Sequence, residues 1–159
     1  MINCFEPVLG EMPHTLILGS SPSVISLERV EYYGNPRNAF WKILKDVFGG
    51  DEFLNYDDKV NFAKENSIAI WDVVSSCERE GSLDSAIKNV KVNEIENLLM
   101  TFPSIKTVLF NGKTAAALYD KNINYYPYRT EFFTMPSTSP AYTLSYEKKL
   151  TEWADKLYY

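Results

Sequence analysis

The chain has 159 residues, 45% hydrophobic and 23% charged, which fits one globular domain with a real core, expected over residues 1–159. The formal net charge of −5 gives no global basic footprint, so any grip on phosphates must come from a local groove. No apolar run approaches the roughly 20 residues of a membrane-spanning helix.

The N-terminal stretch MINCFEPVLGEMPH has neither the basic nor the apolar part of a signal peptide. Cys4 and Cys77 form no disulfide framework and no metal-binding spacing, and read as reduced thiols in a cytoplasmic protein. Thr15 to Leu18, TLIL, is a short apolar run ended by GSSPS, the pattern of a buried strand running into a loop. Residues 37–48 place Phe40, Trp41, Ile43, Leu44, Val47 and Phe48 at helical spacing, with Gly49 and Gly50 as the stop. Asp57 to Glu65 reads as a weaker helix, and Ile68 to Val74 as a second buried strand. The segment SSCEREGSLDSAIKNVKV is polar and expected to be irregular, with Glu78, Arg79 and Glu80 in a solvated loop. A helix over 92–102, broken at Pro103, leads to a third strand over 105–110, and NGKTAAALYDK opens the next helix. A fourth strand over 132–135 runs into PSTSPAY and a final helix from about Leu144 to Leu157. There is no repeat, linker or low-complexity tract.

Strands alternating with helices imply an α/β fold whose parallel sheet is covered on both faces. In such sheets ligands bind beyond the carboxyl ends of the strands. The segments GSSPS with NPRNAFW, DVVSSCERE, NGKT and PSTSPAY therefore converge on one crevice. They are rich in Asn, Ser, Pro, Gly and aromatic residues and poor in His, Asp and Glu. Such a crevice suits a flat, polar, neutral group.

Familiar chemistries fit poorly. GSSPS shares a glycine and a serine with the nucleophile elbow but lacks its second glycine. The one histidine, His14, precedes the first strand, on the side away from the loop ends, so a serine triad has no base. NGKT lacks the upstream glycine of a phosphate loop, since Thr107 stands there. No His/Cys/Asp/Glu cluster points to a metal. Among the carboxylates of these loops, only Asp72 with Glu78 or Glu80 makes a pair.

Taken together, LILGSSPS, YYGNPRNAFWKIL, IAIWDVVSSCEREGSLDSAI, VLFNGKTAA and MPSTSPAY resemble the DNA-deoxyinosine (hypoxanthine) glycosylase branch of the uracil-DNA glycosylase superfamily. The likeness spans nearly the whole chain, and NPRNAFW with PSTSPAY is its most specific part. It implies a three-layer α/β/α fold around a four-stranded parallel sheet, and removal of a deaminated base from DNA without metal or organic cofactor. The first loop has only serines where the superfamily often carries a water-positioning Asp or Asn. The second loop lacks the histidine that supports a leaving uracil. Both departures favour a base preference other than uracil.

A glycosylase extrudes its target nucleotide into a pocket. On that reading Asn38 orients the attacking water through its side-chain carbonyl, since an amide is no base near neutral pH. Phe40 is the stacking platform for the base. Gly19, Ser20 and Ser21 present backbone N–H groups to the leaving base. Asn111 can both donate to and accept from its lactam edge. Arg37 and Lys113 supply local positive charge, and Ser137, Thr138, Ser139, Pro140 and Tyr142 press into the minor groove and hold phosphates. The expected partner is DNA with a deaminated base, bound by a monomer.

Each assignment has an alternative. Asn38 also reads as a helix cap, Phe40 as core, and Asn111 with Gly112 as a turn pair. Asp72 is either a general base or a buried cap. Arg37 and Lys113 also read as solvated charges. A lyase would need Lys42 or Lys113 as its amine. A binding module that kept the fold without turnover is the competing class of function.

Overall fold

The computed structural model describes residues 1–157, and the expected domain of 1–159 also includes Tyr158 and Tyr159, which lie outside the described residues. In chain order the strands are β1 (Ile2–Asn3), β2 (Thr15–Gly19), β3 (Ile68–Asp72), β4 (Val74–Glu78), β5 (Lys88–Val92), β6 (Thr107–Asn111) and β7 (Glu131–Met135). The α-helices are α1 (Val24–Arg29), α2 (Phe40–Phe48), α3 (Tyr56–Glu65), α4 (Ile95–Thr101), α5 (Lys113–Asn122) and α6 (Tyr146–Leu157).

The expected apolar runs become a four-stranded parallel sheet in the order β3-β2-β6-β7. Its strands are apolar at successive positions because both faces are covered. Ile17, Ile68, Ile70 and Leu109 pack on one side with Phe40, Trp41, Ile43, Leu44 and Val47 of α2, Ala63 of α3, and Trp153 and Leu157 of α6. Leu16, Leu18, Ala69, Val108 and Phe110 pack on the other with Ile95, Leu98 and Leu99 of α4 and Ala115 and Tyr119 of α5. The result is the three-layer α/β/α arrangement. No helix among the described residues is long and apolar enough to cross a membrane.

The strand register positions the site. Gly19 lies opposite Asp72 where β2 and β3 end, and Asn111 lies opposite Met135 where β6 and β7 end. All four strands therefore deliver their following loops to one edge.

The structure departs from expectation in four places. The helix expected from Arg37 begins at Phe40, because NPRNA folds into turns first: Asn38 N–H donates to the Asn35 carbonyl at 2.9 Å, and Arg37 N–H to Asn35 Oδ1 at 3.0 Å. The six-residue α1 forms inside what reads as a loop, with Ser23 Oγ accepting from Ser26 N–H at its start. The polar segment expected to be irregular forms the β4–β5 hairpin, which pairs antiparallel and joins β1 in a second small sheet. In β5 only Val90 and Val92 alternate with exposed residues, and neither is fully buried, too short an apolar pattern to mark a strand. The run read as one strand over 68–74 is broken at Val73, whose N–H donates to the Gly19 carbonyl at 2.8 Å. Asp72 is thus the last residue before the chain passes from one sheet to the other.

Trp153 is fully buried, and its indole N–H donates to the Pro136 carbonyl at 2.9 Å. Trp153→Ala is expected to cost about 3–5 kcal/mol, and to lower the melting temperature by on the order of 10 °C. Trp153→Phe keeps most of the ring but removes the donor, so a smaller loss of about 1–3 kcal/mol is expected. Denaturant and thermal melts check both.

Candidate active site at the carboxyl ends of the parallel strands

A cavity of about 590 Å³ opens where β2, β3, β6 and β7 end. That falls within the roughly 300–1,000 Å³ of small-molecule sites. Its lining includes Gly19, Ser20, Ser21, Asn38, Asn111, Lys113, Ser137, Thr138, Ser139 and Tyr142 among the residues singled out from sequence. It also includes Tyr33, Asp72, Arg79 and Asp84. Arg37, Phe40 and Pro140 are not among the lining residues. Arg37 is exposed and Pro140 half-buried. Lys42 sits over the Tyr146 ring at 4.2 Å and does not line the cavity, so it offers no amine there. His14 begins the opposite end of β2, with Nδ1 3.2 Å from Thr15 Oγ1.

Phe40 is the clearest correction. Its ring is 1% exposed, held edge-on by Trp41 and Trp153. One face is covered by Tyr33, with ring centroids 4.0 Å apart and planes 26° from parallel. Phe40 therefore belongs to the core, and Tyr33, stacked on it, is the ring that lines the cavity in its place. Tyr33 was not legible because it adopts φ 53, a left-handed conformation uncommon for a bulky residue, just before Gly34.

Asn38 Oδ1 accepts the Phe40 N–H at 2.9 Å. This side-chain turn fixes the amide at the mouth of α2 and leaves its oxygen a second lone pair. Asn111 is more heavily engaged. Its Nδ2 donates to Thr138 Oγ1 at 2.9 Å, and its Oδ1 accepts the Thr138 N–H at 3.0 Å. The amide expected to read a base edge is thus first a clasp between β6 and the PSTSPAY loop.

Three more bonds fasten that loop. Ala39 N–H donates to the Thr138 carbonyl at 3.0 Å, Lys149 Nζ to the Ser139 carbonyl at 3.0 Å, and Trp153 to Pro136. Lys149 is a buried lysine that its sequence neighbourhood did not mark, and burial lowers its pKa. Tyr142 is left 46% exposed at the rim.

The residues beyond β4 depart furthest from expectation. Arg79, read as a solvated charge, has a side chain only 1% exposed. It donates to the Pro22 carbonyl and lies 3.9 Å from Asp84, which in turn accepts from Ser20 Oγ at 3.0 Å. The hairpin connection is thereby tied to the GSSPS loop. Ser21 Oγ sits between Cys4 Sγ at 3.6 Å and Cys77 Sγ at 3.8 Å. Burial pushes the Cys4 thiol up to about 11, so it is no nucleophile near neutral pH.

Gly19 is where these groups crowd together. A Cβ there would stand 2.6 Å from Asp72 Oδ1 and 3.0 Å from the Tyr33 hydroxyl. Only a bare Cα leaves room for both. Burial pushes the Asp72 carboxyl up to about 7, with Arg79 opposing the shift and Asp84 adding to it. Burial likewise raises the Tyr33 phenol, with the Asp72 charge adding to it and the neighbouring Asn111 amide opposing it. The cavity floor is thus built of polar groups that prefer to be neutral.

The family model described as Uracil DNA glycosylase superfamily matches residues 8–159. The chain belongs to the uracil DNA glycosylase superfamily. It is 36% identical over 152 residues to the hypoxanthine DNA glycosylase of Methanosarcina barkeri, covering 95% of this chain and 94% of that one. It is 35% identical over 150 residues to the hypoxanthine DNA glycosylase of Methanosarcina acetivorans, covering 94% and 93%. The solution NMR structure of a candidate uracil DNA glycosylase from Methanosarcina acetivorans superposes with a TM-score of 0.82 at 33% identity, covering 98% of this chain and 95% of that one. The four-stranded parallel sheet between helices is the superfamily frame as this sequence builds it.

The Asp72 carboxyl also sets a pH dependence of stability. Its folded pKa of about 7 exceeds the ordinary 3.8, so between those values the folded protein holds a proton that the unfolded chain has lost. Stability contributed by this group is therefore full below about pH 4 and declines as pH rises towards 7. Asp72→Asn should remove that decline, leaving the variant at least as stable as the natural protein at pH 8. Urea melts across this pH range test it. A steeper decline in the variant would refute the assignment.

Proposed function

We propose that the protein is a monofunctional DNA glycosylase that hydrolyses the N-glycosidic bond of deaminated bases, with hypoxanthine as its preferred substrate and uracil or xanthine secondary. The observation that carries this reading is the lining of the cavity. Amides, hydroxyls and aromatic rings converge at the carboxyl ends of the parallel strands, and two relatives matched over more than nine-tenths of their length are named hypoxanthine DNA glycosylases. Such groups read the edge and face of a neutral lactam rather than a charge.

In this reading the target nucleotide leaves the duplex and its base enters the cavity, at an unstacking cost of a few kcal/mol. The Tyr33 ring, backed by Phe40, gives the base an aromatic face; such stacking is worth about 1–3 kcal/mol. Asn38 holds the attacking water at the sugar carbon through the free lone pair of Oδ1. The Gly19–Ser21 loop faces the leaving base with backbone N–H groups and stabilises its developing charge. Asn111 fixes the last loop and can offer its remaining N–H and lone pair to the base edge. Ser137, Ser139 and Tyr142 lie along the rim with Lys113, and together with the exposed Arg37 they meet the DNA backbone. The enzyme acts as a monomer, and its two free thiols suit a reducing compartment such as the cytoplasm.

Incubation with duplexes bearing deoxyinosine, deoxyuridine or deoxyxanthosine, followed by alkali, is expected to cut the deoxyinosine strand fastest. No scission on any of the three would favour a binding module without turnover. Borohydride should trap no protein–DNA adduct, since a hydrolytic enzyme forms no Schiff base. Asn38→Ala should lower single-turnover cleavage by about 100-fold or more while DNA affinity changes little. Equal loss of both would make Asn38 structural.

A further inference from the structure

Among the described residues, three buried side-chain polar atoms have no hydrogen-bond partner: the Tyr33 hydroxyl, Asp72 Oδ2 and Arg79 Nε. All three residues line the same cavity. Unpaired buried polar groups are rare in folded proteins, and three of them beside one cavity are polar capacity that the chain itself does not use.

Two of the three share a precise address. The Asp72 carboxyl, through Oδ1, and the Tyr33 hydroxyl approach the same bare Cα of Gly19, at the carboxyl end of β2, with the unpaired Oδ2 on that same carboxyl. Arg79 is already committed elsewhere, to the Pro22 carbonyl and to Asp84. Its charge still reaches Asp72, but burial outweighs it. A carboxyl in such a place is most stable as the neutral acid, and a neutral acid carries an O–H to donate.

We propose that Asp72 is a catalytic acid, its O–H facing the edge of an extruded purine and delivering a proton to ring nitrogen N7 as the C1′–N9 bond breaks. This rests on the glycosylase reading above and adds to it the origin of the proton. The electron pair of the broken bond goes to N9, and the Asp72 proton goes to N7, so the base departs neutral. The water oxygen forms the new bond to C1′, and its surplus proton returns to the Asp72 carboxylate or to solvent. Tyr33 donates beside Asp72 and orients the same edge. Pyrimidines have no N7, so uracil gains nothing from this acid. That accounts physically for a site without a second-loop histidine that prefers purines.

The ionisable groups facing Asp72 come from every element around it: Arg79 and Asp84 from the hairpin, Tyr32 and Tyr33 from the loop before α2, Tyr56 from α3, and Cys4 from the N-terminal segment. Arg79 works against protonation, while burial and Asp84 favour it. Burial prevails and keeps the acid protonated up to about pH 7.

The test is single-turnover cleavage of duplexes bearing deoxyinosine, 7-deaza-deoxyinosine or deoxyuridine by the natural protein and by Asp72→Asn. The natural protein should cleave deoxyinosine about 100-fold or more faster than its 7-deaza analogue, with a rate that falls as pH rises above neutrality. Asp72→Asn should lose a similar factor on deoxyinosine and lose that pH dependence. On the 7-deaza and deoxyuridine duplexes it should match the natural protein. Affinity for a duplex with a non-cleavable abasic analogue should be unchanged. The proposal is overturned if the natural protein cleaves 7-deaza-deoxyinosine as fast as deoxyinosine. It is also overturned if Asp72→Asn keeps its rate on deoxyinosine, or loses equally on all three substrates, which is the mark of a structural role. If the natural protein cleaves none of them, the glycosylase reading fails first and this proposal fails with it.

Discussion

Gly19 stands opposite Asp72 at the point where the two strands end, and the rest of the site depends on what that pairing permits. A parallel register brings the two residues side by side, and a side chain at Gly19 would drive into the Asp72 carboxyl and the Tyr33 hydroxyl. Both groups can therefore stay buried against backbone rather than be pushed into solvent. The chain then turns away: Val73 and Val74 donate to the Gly19 and Ser20 carbonyls, and the next strand joins a different sheet. Those bonds hold Asp72 at the edge of the main sheet while its carboxyl faces the cavity. The small β1–β4–β5 sheet, a fold detail with no obvious function of its own, thereby brings Arg79 and Asp84 to the wall.

The opposite wall is rigid for a different reason. Asn111 spends both ends of its amide on Thr138, Trp153 holds Pro136, Lys149 holds Ser139, and Ala39 ties the start of α2 to Thr138. A loop with this many fixed points has little conformational freedom left to lose on meeting DNA. It also links the two most characteristic segments of the sequence, since Asn38 precedes the residue whose N–H makes one of these bonds. The walls differ in what they leave free. The clasped loop satisfies its own polar groups, whereas the Asp72 side leaves them open.

How much of this the sequence shows depends on what each residue packs against. The four strands were legible because a parallel sheet covered on both faces demands continuous apolar runs, and TLIL and IAIW supply them. The helices followed from period and stops such as Gly49. What failed was any feature set by tertiary approach. Phe40 and Tyr33 are both aromatic and lie seven positions apart. Nothing in their spacing says that the helical ring goes to the core and the loop ring, in a left-handed turn, goes to the cavity. Arg79 sits in a run of charges that reads as solvated, and only the fold reveals that a carbonyl of the GSSPS loop takes its guanidinium inside. The β4–β5 hairpin was hidden for the opposite reason: its outer strand is mostly exposed, and its apolar pattern is no more than Val90 and Val92.

The acidic balance of the chain takes on a different meaning once the cavity is in view. Asp72, Asp84 and Glu152 all line it, against Arg79 and Lys113. Arg79 is already held by a carbonyl, with Asp84 nearby. No net positive charge is left there for a base to meet, and a neutral base needs none. A lactam is read by donors and acceptors whose strength comes from burial, because the same low-dielectric surroundings that make an unpaired hydroxyl costly make a paired one strong. Phosphates are different, since they reward cations that stay in water. The molecule separates the two tasks in space: exposed Arg37 and Lys113 stand outside or at the rim, while the interior keeps amides, hydroxyls and a carboxyl that burial disposes to stay neutral. An overall charge of −5 is therefore compatible with a DNA substrate, because little of the recognition has to be carried by the charge of the body as a whole.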